Sequence, residues 1–351
     1  MKRLWKVALG KNGEYEAGAF AKSVLTVDFN IHSDISHAKD RDGLIAVMET
    51  AFPDAKHKTH LNFAAQMNQF INVIQIDDLI ICPVKTSSTI SIARVTGDYK
   101  PDPETGSPTR AVQWLKTDLP RDTFKQDLLY SFGAFMTVCE ISRNNALARV
   151  EQVIAAGKDP GDGTTPSTKP LAPVPDADTV SDAASEAMVD LDQIARDQIE
   201  KRIASVFTGH DLTTLVAAIL QAQGMKVRVS PPGADGGIDL VAGSGPLGLE
   251  SPRIVAQVKS GTITVQHPDL QGLIGSVQDT QADYGLLVSW NGFTPPVRKR
   301  LNELYFRVRF WGRQEIVDNL FSVYEELPEA IRAELPLRRT WTLVPDEGED
   351  G

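Results

Sequence analysis

The chain has 351 residues, of which 42% are hydrophobic and 23% are charged, and its formal net charge at pH 7 is −10. This length suits two domains better than one, and the composition is that of a globular protein rather than a disordered or fibrous one. Apolar runs stay well below the roughly 18 residues that a membrane span needs, and the first ten residues lack the apolar segment of a secretory signal. Membrane and secreted proteins are therefore not among the expected classes.

The acidic charge is concentrated in two stretches. Residues 158–201 hold ten acidic and four basic residues, and residues 345–351 hold four acidic ones, so these stretches contribute −6 and −4. The rest of the chain sums to zero, and a neutral folded surface can still carry a basic face. The negative total therefore leaves a nucleic-acid partner open.

The two cysteines, Cys82 and Cys139, lie in the apolar stretches LIICPV and FMTVCEI. This setting predicts buried free thiols rather than a disulfide or a metal site, which fits a reducing cytoplasm. Four histidines in the first half, His32, His37, His57 and His60, have no cysteine partners at zinc-type spacing, so the sequence predicts no metal site there.

The first folded block spans residues 1–156. It opens with a short strand, LWKVAL, continues with mixed helical segments, and then has strands around NVIQIDDLIICPVK and ISIARVTGDYK. This order of elements predicts a small mixed β-barrel rather than a parallel sheet.

A linker and a helix follow. Residues 157–187 are rich in Pro, Gly, Thr and Asp and nearly lack large apolar side chains, which predicts a flexible acidic linker. Residues 189–207 place Leu191, Ile194, Ile199, Ile203 and Phe207 at roughly helical spacing. This helix either leads into the second domain or packs on a partner copy of itself.

The second folded block spans residues 188–344 and precedes an acidic tail at 345–351. A helix carries one apolar stripe from Leu212 to Leu220 and closes at Gly224. The segments KVRVS, GIDLVA, RIVAQVK and YGLLVSW follow as strands, separated by helical or turn segments. The alternation predicts an α/β domain with a mixed sheet.

Three polar residues on two of these strands form a candidate catalytic set. Asp239 follows a glycine-rich turn, and Gln257 and Lys259 lie two apart on RIVAQVK, so they share a face while Val258 points into the core. An Asp and a Lys on neighbouring strands are usually a salt bridge or a solvated face. The glycine-rich turn and Gln257 in register favour a nuclease-type site, with Asp235 as a possible second ligand or simply a turn residue.

These residue types suit phosphodiester hydrolysis. The Asp239 carboxylate, the Gln257 side-chain oxygen and the Val258 carbonyl are hard ligands for Mg²⁺ (or Mn²⁺). Lys259 would orient and deprotonate the attacking water or stabilise charge in the transition state.

From Leu212 to Ser289 the chain resembles the Mrr-type branch of the PD-(D/E)XK endonucleases. The resemblance rests on the apolar helix ending at Gly224, on DGGIDL, on QVK, on the helix LQGLIGSVQDTQ and on YGLLVSW with NGF. It implies a restriction-endonuclease-like α/β sandwich that cleaves DNA, with Gln-x-Lys in place of Glu-x-Lys. The acid that the family commonly has in the first helix aligns with Thr213, so either Asp211 substitutes or the site has fewer carboxylates.

Basic residues follow the proposed catalytic core. The alternation in YFRVRFWG points Arg307 and Arg309 to one strand face, which is either a solvated surface or a phosphate-binding one. The predicted DNA-binding residues are Arg298, Lys299, Arg300, Arg307 and Arg309.

The first block resembles the PUA-like fold in its EVE-like form, through LWKVALGKNGEY, FINVIQIDDLIICPVK, the run to Tyr99 and TRAVQWLKTDLPRDTF. This resemblance implies a reader of modified nucleobases, and a flipped base needs aromatic walls and polar contacts. The predicted pocket residues are Trp5, Ser33, Asp34, Tyr99 and Trp114. Trp5 and Trp114 equally fit a role as core residues of a small barrel.

Together the two resemblances imply a modification-dependent (type IV) restriction enzyme of phage defence that acts on double-stranded DNA. We expect a homodimer or higher homo-oligomer, because cutting both strands usually needs two active sites. One alternative keeps the nuclease and makes the first block a sensor for a small nucleotide signal. In another alternative, Thr213 indicates an inactive nuclease fold that binds DNA without cutting it.

Overall fold

The computed structural model describes residues 2–87, 89–134, 136–161, 191–231 and 237–341, which group into two compact units. The first contains the described residues up to Ile194 together with Trp341, and the second is Ala195–Thr340. The predicted linker is described only as far as residue 161, and the predicted tail and Asp235 lie outside the described residues.

The first unit is a six-stranded sheet with helices on both faces. Its elements in chain order are β1 (Leu4–Val7), α1 (Glu16–Lys22), β2 (Val24–Thr26), α2 (Arg41–Ala51), α3 (His57–Asn68), β3 (Leu79–Val84), β4 (Thr89–Pro101), β5 (Pro108–Pro120), α4 (Gln126–Phe132), β6 (Val138–Glu140) and α5 (Ala146–Ala156). The strand order is β2-β5-β4-β3-β1-β6, with β1 and β3 parallel and the other pairs antiparallel.

Strand alternation gives this sheet two cores. Trp5 and Ile80 point to one core, which α2 and α3 cover with Leu44 and Met67, among others. Leu79 points to the other face, among residues of α4 and α5. Successive side chains of a strand face opposite sides, so a central strand of a sheet covered on both faces is apolar throughout, as LIICPV is.

The predicted small mixed β-barrel is not confirmed, because the residues that the structure describes form no closed barrel. Within the described residues the two end strands, β2 and β6, pair only with β5 and β1 respectively, so the sheet is open. Strand periodicity in the sequence specifies which faces are buried, but closure depends on sheet curvature and on long-range pairing of the end strands.

A buried ion cluster ties the end of the first unit together. Arg149, on α5 and 1% exposed, donates to both carboxylate oxygens of Asp159, at 2.8 and 2.7 Å, and also pairs with Asp127. Asp159 also accepts from the backbone N–H groups of Lys125 and Gly161. Burial by itself raises the pKa of Asp159, but these hydrogen bonds outweigh it and hold that pKa below its usual value.

The second unit is a five-stranded mixed sheet between helices, as the sequence predicts. Its elements are α6 (Leu191–Val206, shared with the first unit), α7 (His210–Ala222), β7 (Lys226–Val229), β8 (Leu240–Ser244), β9 (Glu250–Lys259), α8 (His267–Asp279), β10 (Tyr284–Ser289), α9 (Pro295–Arg298), β11 (Val308–Trp311), α10 (Arg313–Ser322) and α11 (Glu329–Glu334). The strand order is β11-β10-β9-β8-β7. β10 runs parallel to β9 and β11, whereas β7, β8 and β9 are antiparallel.

The helix α6 leads into the second unit, in agreement with the first of the two alternatives given for it. Ile203 and Phe207 pack in the core with residues of α7 and α10. The predicted apolar stripe is wrong at its start, because Leu191 is 57% exposed while the acidic residues Asp197 and Glu200 are buried. Residues 197, 200 and 203 recur at intervals of three and so share one helix face.

Cys82 and Cys139 are buried free thiols, as predicted, and burial raises the pKa of Cys82 above its usual value. Among the described helices, none is both long enough and apolar enough to cross a bilayer.

Candidate active site

The backbone holds Asp239 between two strands at the start of β8. Its N–H donates to the carbonyl of Ala256 at 2.9 Å, and its carbonyl accepts from Ser230 N at 2.8 Å. The side chain turns to β9, where Oδ2 accepts from Val258 N at 2.7 Å. These three bonds fix the carboxylate beside the Gln-x-Lys segment, as the sequence predicts.

Gln257 lies on β9 next to this carboxylate. The pairing of Leu240 with Ala256 makes Asp239 and Gln257 the next residues along the two antiparallel strands. Gln257 is 8% exposed, and its Oε1 is buried without a hydrogen-bond partner among the described residues. A buried carbonyl oxygen that accepts nothing costs free energy, so the site favours a ligand or a cation at this atom.

Gly237 closes one side of this arrangement. Its φ is +84°, and a Cβ added there would lie 3.4 Å from Gln257 Nε2. The left-handed backbone favours glycine at this position, whereas an added Cβ would make an ordinary van der Waals contact with Gln257.

Lys259 ends β9, on the same face as Gln257 by strand alternation. Its Nζ lies 3.8 Å from Asp269 Oδ1, and both side chains are about three-tenths exposed. The other oxygen of Asp269 accepts from Gln266 N at 2.8 Å and so caps the start of α8. The ion pair that Lys259 makes in the described structure is therefore with α8, not with Asp239.

Val258 points the other way. Its side chain packs with α7 residues in the core on the opposite face of the sheet, as predicted, while Val255 packs against α8 on the Gln257 side. Gln257 and Lys259 therefore lie on the α8 side of the sheet, and Val258 lies on the α7 side.

A buried threonine lies at the position where the resemblance leads us to expect an acid. Thr213 is 3% exposed on α7, whereas Asp211 is exposed. Residues two apart on a helix do not face the same way. Asp211 therefore does not share the helix face of Thr213, and its substitution for the expected acid stays a prediction.

The predicted DNA-binding residues form two groups on the surface. Arg298 ends α9, and Lys299 and Arg300 follow it. Arg298 Nε donates to Phe293 O at 2.9 Å, and Arg300 Nε donates to Glu303 Oε2 at 3.0 Å. Arg307 and Arg309 are exposed while Val308 and Phe310 between and beyond them are buried, which confirms the predicted alternation.

Arg309 and Lys259 differ in their place along the sheet. Arg309 pairs with Leu286, whereas Lys259 pairs with Ser289, three residues further along β10. At a rise of about 3.3 Å per residue, Arg309 lies about 10 Å along the strand direction from the Lys259 row.

Two aromatic residues beside Arg309 were missed by sequence reasoning. Phe306 is 85% exposed and Tyr305 is 50% exposed, and their rings meet edge to face at 5.1 Å. The Arg309 guanidinium lies 3.7 Å from the centroid of the Tyr305 ring. The adjacent aromatics in YFRVRF, which lie in the turn segment before β11, are the available sequence signal.

The predicted base pocket is brought together only in part. Ser33 and Asp34 are exposed, and the Tyr99 hydroxyl donates to Asp34 Oδ1 at 3.3 Å and accepts from Ile35 N at 3.2 Å. Burial is the main cause that raises the pKa of Tyr99. Ser33, Asp34 and Tyr99 therefore share one small area of the first unit.

The two tryptophans lie elsewhere. Trp5 is 1% exposed in the core, and its Nε1 donates to Asp78 Oδ2 at 2.8 Å, so its ring has no free face for a base. Trp114 is partly buried against Phe20, with Nε1 donating to Ala19 O at 3.2 Å. The core alternative is therefore correct for Trp5, and Trp114 packs on α1 rather than beside Tyr99.

Two family models match parts of the chain. Residues 204–320 match the family model described as Restriction endonuclease (Mrr_cat), and residues 5–141 match a Domain of unknown function (DUF8426). No curated protein matches the chain at a significant level. Residues 204–320 are thus similar to a restriction endonuclease domain, and this match supports a nuclease acting on DNA. The PUA-like assignment of the first unit is not confirmed.

Three solved structures are similar to the chain. The DNA modification-dependent restriction endonuclease AspBHI is 14% identical, with a TM-score of 0.32 over 89% of this chain and 78% of that one. The MspJI restriction endonuclease in complex with a 27-mer oligonucleotide is 10% identical, with a TM-score of 0.31 over 86% and 70%. A protein of unknown function, AF1548, is 12% identical, with a TM-score of 0.24 over 34% and 76%.

Proposed function

We propose that this chain is a divalent-metal-dependent DNA endonuclease whose reaction is carried by Asp239, Gln257 and Lys259. The observation that carries the proposal is the hydrogen bond from Val258 N to Asp239. This bond holds the Asp239 carboxylate beside β9, where the buried side-chain oxygen of Gln257 lies two residues before Lys259. A carboxylate, an amide oxygen and a lysine on adjoining strands suit phosphodiester hydrolysis.

The residues fit a hard divalent cation. The buried Gln257 Oε1 accepts no hydrogen bond from the described residues, and together with the Asp239 carboxylate and the Val258 carbonyl it would hold Mg²⁺ or Mn²⁺. Such an ion, when bound, supplies charge neutralisation at the scissile phosphate and a more acidic water.

The protein's own groups would then position the reaction. Val258 N fixes the direction of the Asp239 carboxylate, and Asp269 draws the Lys259 ammonium towards α8. Lys259 would orient the attacking water and stabilise the negative charge that develops as water adds to phosphorus and one P–O bond breaks. The departing oxygen takes up a proton, so the products are a phosphate end and a hydroxyl end.

The first unit would direct cleavage to modified DNA. We assign the reader to residues 1–156 and the endonuclease to residues 188–344, joined by the linker at 157–187. Tyr99, Asp34 and Ser33 offer an aromatic ring and polar groups at an accessible surface, as a flipped base requires. The proposed role is restriction of modified phage DNA in the cytoplasm, with two copies of the chain cutting the two strands.

One observation favours a second candidate function. Thr213 is buried where related domains have an acid, and Asp211 does not share its helix face. A site with too few carboxylates to hold a cation would leave a domain that binds DNA without cutting it.

The test is cleavage of matched plasmids, either unmodified or carrying methylated cytosine, hydroxymethylated cytosine or methylated adenine. Wild type is compared with Lys259→Ala and with Lys201→Ala, a matched control at an exposed lysine of α6. We expect wild type and the control to cut a modified plasmid with Mg²⁺ or Mn²⁺, and Lys259→Ala or an added chelator to abolish cutting.

Each other outcome points to a different function. Cutting of all plasmids alike would refute the reader. Cutting that appears only after a small nucleotide is added would indicate the signal-gated alternative. Binding of DNA without cutting under any condition would establish the inactive module.

A further inference from the structure

Two histidines and a glutamate meet at the hairpin formed by α2 and α3 in the first unit. Glu49 lies in the last turn of α2, and His57 and His60 lie in the first turn of α3. One ligand atom from each of the three lies within 4.8 Å of the others, and His57 Nδ1 is 4.0 Å from Glu49 Oε1. The sequence predicts no metal site among these histidines, because zinc-type spacing is absent. In the structure, the hairpin brings a third ligand, Glu49, from α2 to the two histidines of α3.

We infer that Glu49, His57 and His60 form a binding site for a divalent transition-metal ion of the zinc class. Imidazole nitrogens suit zinc, copper and nickel, and two histidines with one carboxylate form a known three-ligand zinc set that leaves a fourth position for water. This site lies in the first unit and does not depend on the proposed nuclease activity.

The observed spacing needs only a small adjustment. Metal–nitrogen and metal–oxygen bonds of about 2.1 Å in a tetrahedron place the ligand atoms about 3.4 Å apart. A pair at the 4.8 Å limit of this cluster must therefore shrink by about 1.4 Å, and the separation of 4.0 Å between Glu49 and His57 by about 0.6 Å. Their side chains are 52% and 70% exposed, so rotation of either one in solvent closes this gap without moving the helices.

His60 is already oriented by a second contact. It is 6% exposed, and its Nε2 lies 2.7 Å from the carbonyl oxygen of Phe52. A carbonyl oxygen only accepts, so Nε2 carries the proton and Nδ1 keeps the lone pair that a metal needs. Such a bond from the second ring nitrogen to a backbone carbonyl is the common support of metal-binding histidines.

A bound ion would join α2 to α3. The hairpin packs on the core of the first unit through Leu44 and Met48 of α2 and through Ala64 and Met67 of α3. An ion that links the end of α2 to the start of α3 binds the folded hairpin and not the unfolded chain, and so raises the stability of this unit.

The test is calorimetric titration of the full chain with Zn²⁺ in excess Mg²⁺, in an Asp239→Asn background that removes the carboxylate of the proposed nuclease site. The variants Glu49→Gln and His57→Gln are compared with His37→Gln, a matched control at an exposed histidine of the same unit. Both test positions are exposed, so these variants retain the fold.

We expect one Zn²⁺ per chain, tenfold or more weaker binding in either test variant, and no change in the control. We also expect Co²⁺ to give visible absorption typical of tetrahedral coordination, which His57→Gln removes. Equal Zn²⁺ affinity in wild type and His57→Gln, or loss of binding in His37→Gln to the same degree, would overturn the site. Neither result depends on DNA cleavage, so failure here and failure of the nuclease proposal are distinguishable.

Discussion

Replacing Asp239 by asparagine separates the charge of the carboxylate from its hydrogen bond. Oδ2 accepts from Val258 N at 2.7 Å, and the amide oxygen of asparagine can accept the same bond. The change turns a charge-assisted hydrogen bond into a neutral one, at a cost of about 1 kcal/mol of unfolding free energy. Alanine leaves the Val258 N–H without that acceptor, at a cost of about 2 kcal/mol.

Both substitutions remove the negative charge that would hold the cation. We therefore expect asparagine and alanine to lower the cleavage rate equally, by a factor of about 1000 or more, which corresponds to about 4 kcal/mol of activation free energy. The loss of rate is larger than the loss of stability in either variant. Equal loss of activity with unequal loss of stability is the result that distinguishes a ligand from a structural residue.

The assay pairs plasmid cleavage with thermal unfolding followed by calorimetry. One kcal/mol shifts the midpoint of a domain of this size by about 3 °C, so we expect the second unit to unfold about 3 °C lower with asparagine and about 6 °C lower with alanine. Cleavage by Asp239→Asn within tenfold of wild type would refute the role of the carboxylate. Activity that falls only in proportion to unfolding would refute it equally.

Three further substitutions test other contacts. Gln257→Ala should raise the Mg²⁺ concentration needed for half-maximal cleavage by about tenfold. Gln257→Glu should lower that concentration, because a charged ligand binds a hard cation more strongly. Identical Mg²⁺ titrations of wild type and both variants would contradict this. Asp269→Asn should slow turnover about tenfold without weakening DNA binding, because Lys259 loses its ion pair but keeps its charge; a change in DNA affinity alone would argue for a surface role. Asp159→Asn should destabilise the first unit by about 3 kcal/mol at pH 7, because Arg149 loses a buried partner. The pKa of Asp159 is lower in the folded protein than in the unfolded chain, where it is about 3.9. The ionised carboxylate therefore stabilises the fold fully above about pH 3.9, and this stabilisation is lost as the pH falls through the lower folded-state pKa. The unfolding midpoints of wild type and Asp159→Asn should therefore converge in acid.

The local features of the candidate site could be predicted from the sequence. Gln257 and Lys259 share a face and Val258 points to the core because strand side chains alternate, and this rule needs no knowledge of the rest of the fold. The Asp239 carboxylate could be placed beside them because a glycine turn and a short connection bring neighbouring strands together. The order of helices and strands in the second unit follows from periodicity in the same way.

Features that join distant parts of the chain could not be predicted. Trp5 fits a pocket wall or a core residue equally well in the sequence, and the sheet and the helices packed on it decide for the core. The open sheet, the pairing of Lys259 with Asp269 on α8, and the meeting of Glu49 with His57 and His60 all depend on which elements pack together.

The sequence by itself determined the periodicity of the strands, the buried thiols and the shared face of Gln257 and Lys259 on β9, because these follow from the geometry of a single element and the polarity of its side chains. Only the tertiary structure decided that Thr213 is buried with Asp211 turned away from it, and which side chains of different elements meet. The physical reason is that the packing of helices and sheets is set by the summed burial of many residues, which no local pattern specifies.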